Sequence, residues 1–202
     1  MSIIIIDTGT ANITSVSNAF KYLGKNVVVS SDAEDIAKAD KIVLPGVGAF
    51  SYAINALESK NIKDEIRNSV TKEEKPFLGI CLGMQMLATV SMEGGEHGGL
   101  NLIPGRVVPL QPEQAGFRVP NVGWCNVEAV GENRLLKEDK SFYHIHSYYF
   151  QCENKEHVVG TINYSGNVIP VMVQDKNIFG VQFHPEKSHD GGLALLDKFT
   201  NI

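Results

Sequence analysis

The chain has 202 residues, of which 43% are hydrophobic and 20% are charged, and its formal net charge is −5. This composition predicts one globular domain over residues 1–202 with a sizeable core, and the acidic balance argues against a nucleic-acid-binding protein. Three cysteines are too few and odd in number for a disulfide scaffold, so we expect a protein of the reducing cytoplasm. We expect neither a secretory leader nor a membrane-spanning segment.

The first half of the chain alternates strand-like and helix-like segments. Short apolar runs predict strands at Ser2–Ile6, Asn26–Ser30, Lys41–Leu44 and Pro76–Ile80. Apolar residues at helical spacing predict a helix that starts near Ile13 and ends at Gly24, then a short acidic helix, and then a long helix over about 51–70. Strands that alternate with helices are typical of a parallel sheet covered by helices.

From Asn101 onward the predicted strands are short and are separated by turns, around Val107, Trp124, Phe142, Tyr149, Val159, Val171 and Ile178. A helix over about 192–199 closes the chain. The predicted fold class is therefore α/β, an open and mostly parallel sheet flanked by helices, with additional antiparallel strands in the second half.

Cys81 lies between a predicted strand and a run of good helix formers over 84–88. Gly79 and Gly83 flank this cysteine and permit the tight, strained turn of a nucleophile elbow. The positive end of the following helix would favour the thiolate, which is the nucleophilic form. The alternative is that Cys81 is a small buried packing residue, since free cysteines are often buried.

His184 and Glu186 follow the strand predicted over 177–183, where Pro185 stops further sheet pairing. A histidine at this position could take the proton of a thiol, while the carboxylate two residues later holds the other ring nitrogen. Cys81, His184 and Glu186 are therefore candidate nucleophile, base and orienting carboxylate.

The glycine loop Pro45–Gly48 follows another predicted strand, and such loops are usually ordinary turns. In acyl transfer, however, a glycine loop lets backbone N–H groups approach the oxygen that becomes negative. Both readings stay open from the local sequence.

Several motifs together carry a family resemblance, namely Ile6–Gly9 with Asn12, Leu44–Phe50, Gly79–Gln85, Ile103–Val107, Val119–Trp124, His146–Tyr149 and Val181–Ser188. The chain resembles the class I glutamine amidotransferases, and within them the glutaminase subunits of imidazole glycerol phosphate synthase. The resemblance runs nearly end to end, and several motifs in the expected order are more specific than one elbow.

The resemblance implies roles for particular residues. Val47, Gly48 and Leu82 would form the oxyanion hole, with Gly46, Gln85, Ser147 and Tyr148 at the glutamine site and Asn12, Trp124, Tyr143 and Lys187 at a partner interface. The implied activity is hydrolysis of L-glutamine to glutamate and ammonia without any cofactor. The implied partner is a (β/α)₈-barrel cyclase of histidine biosynthesis, bound as a heterodimer, which uses the ammonia.

Three rival functions stay open. A paralogous glutaminase that feeds a nucleotide-sugar amidotransferase would keep the same motifs, a cysteine peptidase could share the fold, and a silent binding protein would not need the triad.

A zinc site at His144 and His146 with Cys152 or His157 matches no strong zinc spacing, so we expect no metal. Residues 8, 10, 11, 121 and 122 depart from the family pattern on the surface implied to face the partner.

Overall fold

The computed structural model describes residues 1–9 and 12–202, so Thr10 and Ala11, two of the atypical positions, lie outside the described residues. Its helices are α1 Ile13–Tyr22, α2 Ala33–Lys38, α3 Phe50–Ser59, α4 Lys63–Thr71, α5 Leu82–Gln85 and α6 His189–Thr200, with short 3₁₀ helices at Lys155–His157 and Pro185–Lys187. Its strands are β1 Ile3–Ile6, β2 Val27–Ser30, β3 Lys41–Gly46, β4 Phe77–Cys81, β5 Val90–Ser91, β6 His97–Gly98, β7 Gly105–Pro109, β8 Asn121–Ala129, β9 Lys140–His146, β10 Tyr148–Cys152, β11 Val158–Tyr164, β12 Asn167–Asp175 and β13 Ile178–Val181.

The strands of the described residues form two sheets. Among these residues the larger sheet has nine strands in the order β2-β1-β3-β4-β13-β12-β11-β8-β9, and the smaller has four in the order β10-β7-β5-β6. Pairing in the large sheet is parallel from β2 through β13 and antiparallel from β13 through β9. The predicted α/β class with antiparallel strands in the second half is confirmed, although the sheet as a whole is better described as mixed.

The central parallel strands are buried on both faces. In β1, Ile3 and Ile5 pack into one apolar cluster with α1 and α6, whereas Ile4 and Ile6 pack into a second cluster with α2, α3 and α4. Successive side chains of a strand point to opposite faces, so an unbroken isoleucine run indicates a strand covered on both sides. This arrangement holds the carboxyl ends of the parallel strands rigidly beside one another.

Two predicted helices differ from those observed. The long helix expected over about 51–70 is divided into α3 and α4, because Asn61 adopts a left-handed conformation with φ 55°. Asparagine tolerates this conformation, which ends a helix, and the following Ile62 is fully buried. The helix expected to continue to Ala88 stops at Gln85 after about one turn.

Candidate active site

Three neighbouring parallel strands end at the same edge of the large sheet. Gly46 at the end of β3 pairs with Cys81 at the end of β4, and Ile80 pairs with Val181 at the end of β13. The carboxyl ends of parallel strands are the usual place for a site in α/β sheets. The register therefore brings the loop after Gly46, the cysteine elbow and the segment that carries His184 into contact.

Cys81 occupies a strained backbone position, with φ 56° and ψ −109°. Such conformations cost about 1–3 kcal/mol for a residue other than glycine and persist where the surroundings enforce them. The flanking glycines have a different role, because a Cβ at Gly79 would lie 2.5 Å from the carbonyl oxygen of Gly83, and one at Gly83 would lie 1.7 Å from that of Leu44. The glycines thus allow close packing, and the cysteine itself adopts the unusual turn.

The helix after Cys81 is too short for the electrostatic role expected from the sequence. A single turn aligns few peptide dipoles, so α5 contributes little of the field that a long helix would place at the thiol. The charge of a neighbouring side chain is therefore the stronger candidate for stabilising a thiolate.

His184 and Glu186 form a buried pair. The ring Nδ1 donates to Oε1 of Glu186 at 2.8 Å, and the two side chains are only 3% and 1% exposed. Since the carboxylate can only accept, Nε2 is the ring nitrogen left free, and within the described residues it is buried without a hydrogen-bond partner. Burial lowers the pKa of His184, but the nearby Cys81 sulfur and the hydrogen bond and charge of Glu186 outweigh it and raise that pKa to about 10.

The backbone around His184 is fixed by hydrogen bonds. Its N–H donates to the carbonyl of Tyr143 at 2.9 Å, and its own carbonyl accepts from Oγ of Ser188 at 2.6 Å. The same hydroxyl accepts from the N–H of Tyr143 at 3.0 Å. Ser188, to which sequence reasoning gave no role, thereby ties the histidine segment to β9.

A cleft of about 370 Å³ opens beside these groups. Its lining includes the predicted residues Val47, Gly48, Cys81, Leu82, Gln85, Ser147, Tyr148, His184 and Lys187. It also includes Glu93, Pro120, Ile145 and His146, which sequence reasoning did not assign to the site. Gly46 and Glu186 lie instead around a small space that shares Val47 and His184 with the cleft and also includes Asn12. The structure thus brings most of the predicted site residues to one cavity.

Glu93 and Gln182 are the notable additions. The carboxylate of Glu93 accepts the N–H of Phe50 at 3.0 Å, and the residue lines the cleft. Gln182 is fully buried, and its Nε2 donates to Sγ of Cys81 at 3.8 Å. The sequence carries a weak signal for Gln182, a polar residue inside an apolar strand next to His184, and none for Glu93 in its glycine-rich segment.

His144 and His146 lie beside the site as neutral groups. His146 donates from Nδ1 to the carbonyl of Tyr148 at 2.9 Å, and its Nε2 lies 3.4 Å from Nδ1 of His144. Burial is the main cause that lowers their pKa values, to about 3 for His144 and about 4 for His146. In the described part of the chain, no group of three or more His, Cys, Asp or Glu side chains is arranged to hold a metal ion.

An exposed apolar surface adjoins the cleft at the β8–β9 edge. Val122 pairs with Ile145 and Trp124 pairs with Tyr143, so these four side chains share one face, which we call the β8–β9 surface. Trp124 is 48% exposed and stacks on His189 with ring centroids 5.1 Å apart. Of the other predicted interface residues, Lys187 is exposed and Asn12 is half-buried.

None of the helices formed by residues 1–9 and 12–202 has the length and apolar character needed to cross a membrane.

Comparison with known proteins agrees with this arrangement. The family model described as glutamine amidotransferase class-I matches residues 4–201. The chain is 42% identical over 203 residues to the imidazole glycerol phosphate synthase subunit HisH of Bdellovibrio bacteriovorus, with 98% of each chain covered. It is 43% identical to the subunit of the same name from Bacillus thuringiensis, with 99% of this chain and 94% of the relative covered.

A solved structure described as a glutamine amidotransferase superposes with a TM-score of 0.76 at 20% identity and covers 98% of both chains. At this identity the likeness concerns the fold alone, whereas the family match and the relatives above concern the sequence. The chain therefore belongs to the class I glutamine amidotransferase family and, within it, to the HisH subunits of imidazole glycerol phosphate synthase.

Proposed function

We propose that the whole chain acts as one glutaminase domain that hydrolyses L-glutamine to L-glutamate and ammonia through a thioester on Cys81. The observation that carries this proposal is that Cys81 and His184, which is paired with the buried Glu186, line the same cleft in a member of the class I glutamine amidotransferase family. Cys81, Cys125 and Cys152 are all free, which is consistent with action in the cytoplasm.

The reaction begins with transfer of the Cys81 proton to Nε2 of His184. The raised pKa of His184 favours this state, because the imidazolium is stabilised by Glu186 on one side and by the thiolate on the other. The thiolate attacks the side-chain amide carbon of glutamine, and His184 returns the proton to the leaving nitrogen, so ammonia departs. Water activated by His184 then hydrolyses the thioester and releases glutamate.

The tetrahedral intermediate needs donors for its negative oxygen. The N–H of Leu82, the first residue of α5, and a peptide N–H of Val47 or Gly48 are the proposed oxyanion donors, since all three residues line the cleft. One such donor contributes roughly 3 kcal/mol to the transition state in other hydrolases. These steps use only side chains, backbone groups, water and substrate.

The cleft also offers groups that suit the amino-acid end of glutamine. The carboxylate of Glu93 has the charge to pair with the substrate ammonium, and Ser147 and Tyr148 lie along the same lining. Gln85 is held by donating from Nε2 to the carbonyl of Tyr148 at 3.1 Å. We propose that these residues orient the substrate, together with Gly46, which precedes the Val47–Gly48 loop.

The ammonia needs a recipient, and we propose that this is a separate (β/α)₈-barrel cyclase bound as a heterodimer at the β8–β9 surface. That surface is apolar, adjoins the cleft and includes two predicted interface residues, Trp124 and Tyr143. The HisH relatives favour a cyclase of histidine biosynthesis over a nucleotide-sugar amidotransferase. The proposed products of the complex are imidazole glycerol phosphate and an aminoimidazole carboxamide ribonucleotide.

We expect Val122→Asp to weaken binding of the cyclase roughly tenfold or more, because the substitution buries an unpaired charge in the interface. Val122 is 55% exposed, so the isolated chain should keep its fold. The matched control is Val28→Asp, since Val28 is 45% exposed on β2 at the opposite edge of the large sheet. Titration calorimetry of each variant with the cyclase measures the effect, and equal affinities for both variants would contradict the proposed surface.

We expect glutamate release to be slow for the chain alone and to rise about a hundredfold when the cyclase carries its nucleotide ligand. The proposed switch is the Val47–Gly48 peptide, because Gly48 has φ 91° and, its two chain neighbours aside, no described residue has an atom within 4 Å of the place a Cβ would occupy. Such a peptide can turn its N–H toward the oxyanion at little steric cost. The test follows glutamate release for the chain alone, with the cyclase, and with the cyclase plus ligand; the same rate in all three would refute the coupling.

A further inference from the structure

Two glutamine side chains form a hydrogen-bonded chain that ends on the sulfur of Cys81. Gln85 donates from Nε2 to the carbonyl of Tyr148 at 3.1 Å and to Oε1 of Gln182 at 3.0 Å. Gln182 in turn donates from its own Nε2 to Sγ of Cys81 at 3.8 Å. The catalytic steps proposed above make no use of Gln182.

The direction of this chain is fixed by chemistry. A backbone carbonyl can only accept, so the atom of Gln85 that faces Tyr148 has to be the amide nitrogen. The same nitrogen faces Gln182, whose contacting atom must then be the carbonyl oxygen. The nitrogen of Gln182 is therefore the atom that faces Cys81, as a donor.

The sulfur of Cys81 consequently lies between a group that favours the neutral thiol and a group that favours the thiolate. On one side, the neutral thiol can donate to the carbonyl of Ile145 at 3.9 Å. On the other, the N–H of Gln182 favours the thiolate, because a donor stabilises an anion more than a neutral acceptor. Both Gln85 and Gln182 are buried, so these interactions are little screened by water.

We propose that Gln182 is a positioning residue that holds the Cys81 sulfur and favours its thiolate, and that Gln85 keeps the Gln182 amide in the donating orientation. The inference rests on the proposed function of Cys81 and adds a second source of thiolate stabilisation to the charge of His184. It also connects the nucleophile to Tyr148, one of the residues proposed to contact glutamine.

The test measures alkylation of Cys81 by iodoacetamide against pH, with peptide mass spectrometry to separate this residue from Cys125 and Cys152. Gln182→Met removes the amide donor with little change in side-chain volume. We expect alkylation of Cys81 at neutral pH to slow about tenfold and the midpoint of the rate–pH curve to move to higher pH. Glutaminase activity in the complex should lose kcat with little change in KM.

Gln85→Glu provides a second variant that leaves Gln182 in place. A carboxylate at position 85 cannot donate to Oε1 of Gln182, so the amide of Gln182 should turn its nitrogen toward position 85 and its oxygen toward the sulfur. We expect this variant also to slow alkylation of Cys81. The control is Gln174→Met on β12, which removes hydrogen bonds to Arg134 and Glu132 outside the site and should leave the alkylation profile unchanged.

The inference would be overturned if Gln182→Met and Gln85→Glu both had the same alkylation profile as the unsubstituted chain. This comparison requires that both variants have the melting temperature of the unsubstituted chain, which shows that they are folded. If Gln182→Met does not fold, Gln85→Glu alone decides. The outcome is separable from the function itself, because glutamate release that does not depend on Cys81 would refute the proposed function, whereas unchanged alkylation with Cys81-dependent release would refute only the role of Gln182.

Discussion

Replacement of Cys81 by alanine is expected to lower glutamate release by roughly 10⁴-fold or more, because no other group in the proposed mechanism can form the thioester. The fold should persist, because alanine is smaller than cysteine and causes no clash at this buried position. The cyclase reaction with added ammonium salts should proceed normally with this variant bound, because only the supply of ammonia is lost. Glutamate release and ammonium-dependent synthesis are both measured in the assembled complex.

Cys152→Ala is the matched control for this variant. Cys152 is also free, and burial raises the pKa of its thiol to about 12, so it stays protonated and unreactive at neutral pH. We expect the control to retain glutaminase activity. Near-normal glutamate release by Cys81→Ala would remove Cys81 from the role of nucleophile.

Replacement of His184 by alanine is expected to be nearly as severe, with kcat lower by roughly 10³–10⁴-fold, because it removes both the base and the cation that stabilises the thiolate. Glu186→Gln should be milder, since a glutamine oxygen can still accept from Nδ1 at the observed 2.8 Å. What this variant loses is the negative charge that helps to raise the pKa of His184.

The pH profile separates these two roles. In Glu186→Gln, loss of the negative charge lowers the pKa of His184, so the imidazolium form is lost at lower pH. We therefore expect the alkaline limb of the kcat/KM profile of this variant to move to lower pH. Glu138→Gln, which neutralises an exposed carboxylate, is the control. A larger loss of kcat in Glu186→Gln than in His184→Ala would refute the assigned roles.

The sequence predicted the parts of the fold that local pattern determines. Apolar runs identified the central strands, and the motifs around Cys81 and His184 identified two strand ends, which the register of β4 with β13 brings together. The break at Asn61 was missed because the apolar pattern continues through it and the end of α3 depends on a single backbone conformation.

Other features of the site depend on contacts that no local pattern reports. The bond between Gln85 and Gln182 joins residues 97 positions apart, and the bond between Glu93 and Phe50 joins residues 43 positions apart. The short strands β5 and β6 were likewise not predicted, since each has only two residues. The roles of the individual site residues stay predictions until the variants described above are measured.

The close packing at the elbow also limits how this enzyme can change. Glycine is the smallest residue, so every substitution at Gly79 or Gly83 adds an atom where the carbonyl of Gly83 or Leu44 already lies. Substitutions at these two positions therefore cannot tune the reactivity of Cys81, either in natural evolution or in laboratory evolution. Changes in the reactivity of Cys81 have to arise from neighbouring residues, either in the loop at Val47–Gly48 or in the hydrogen-bonded pair Gln85 and Gln182.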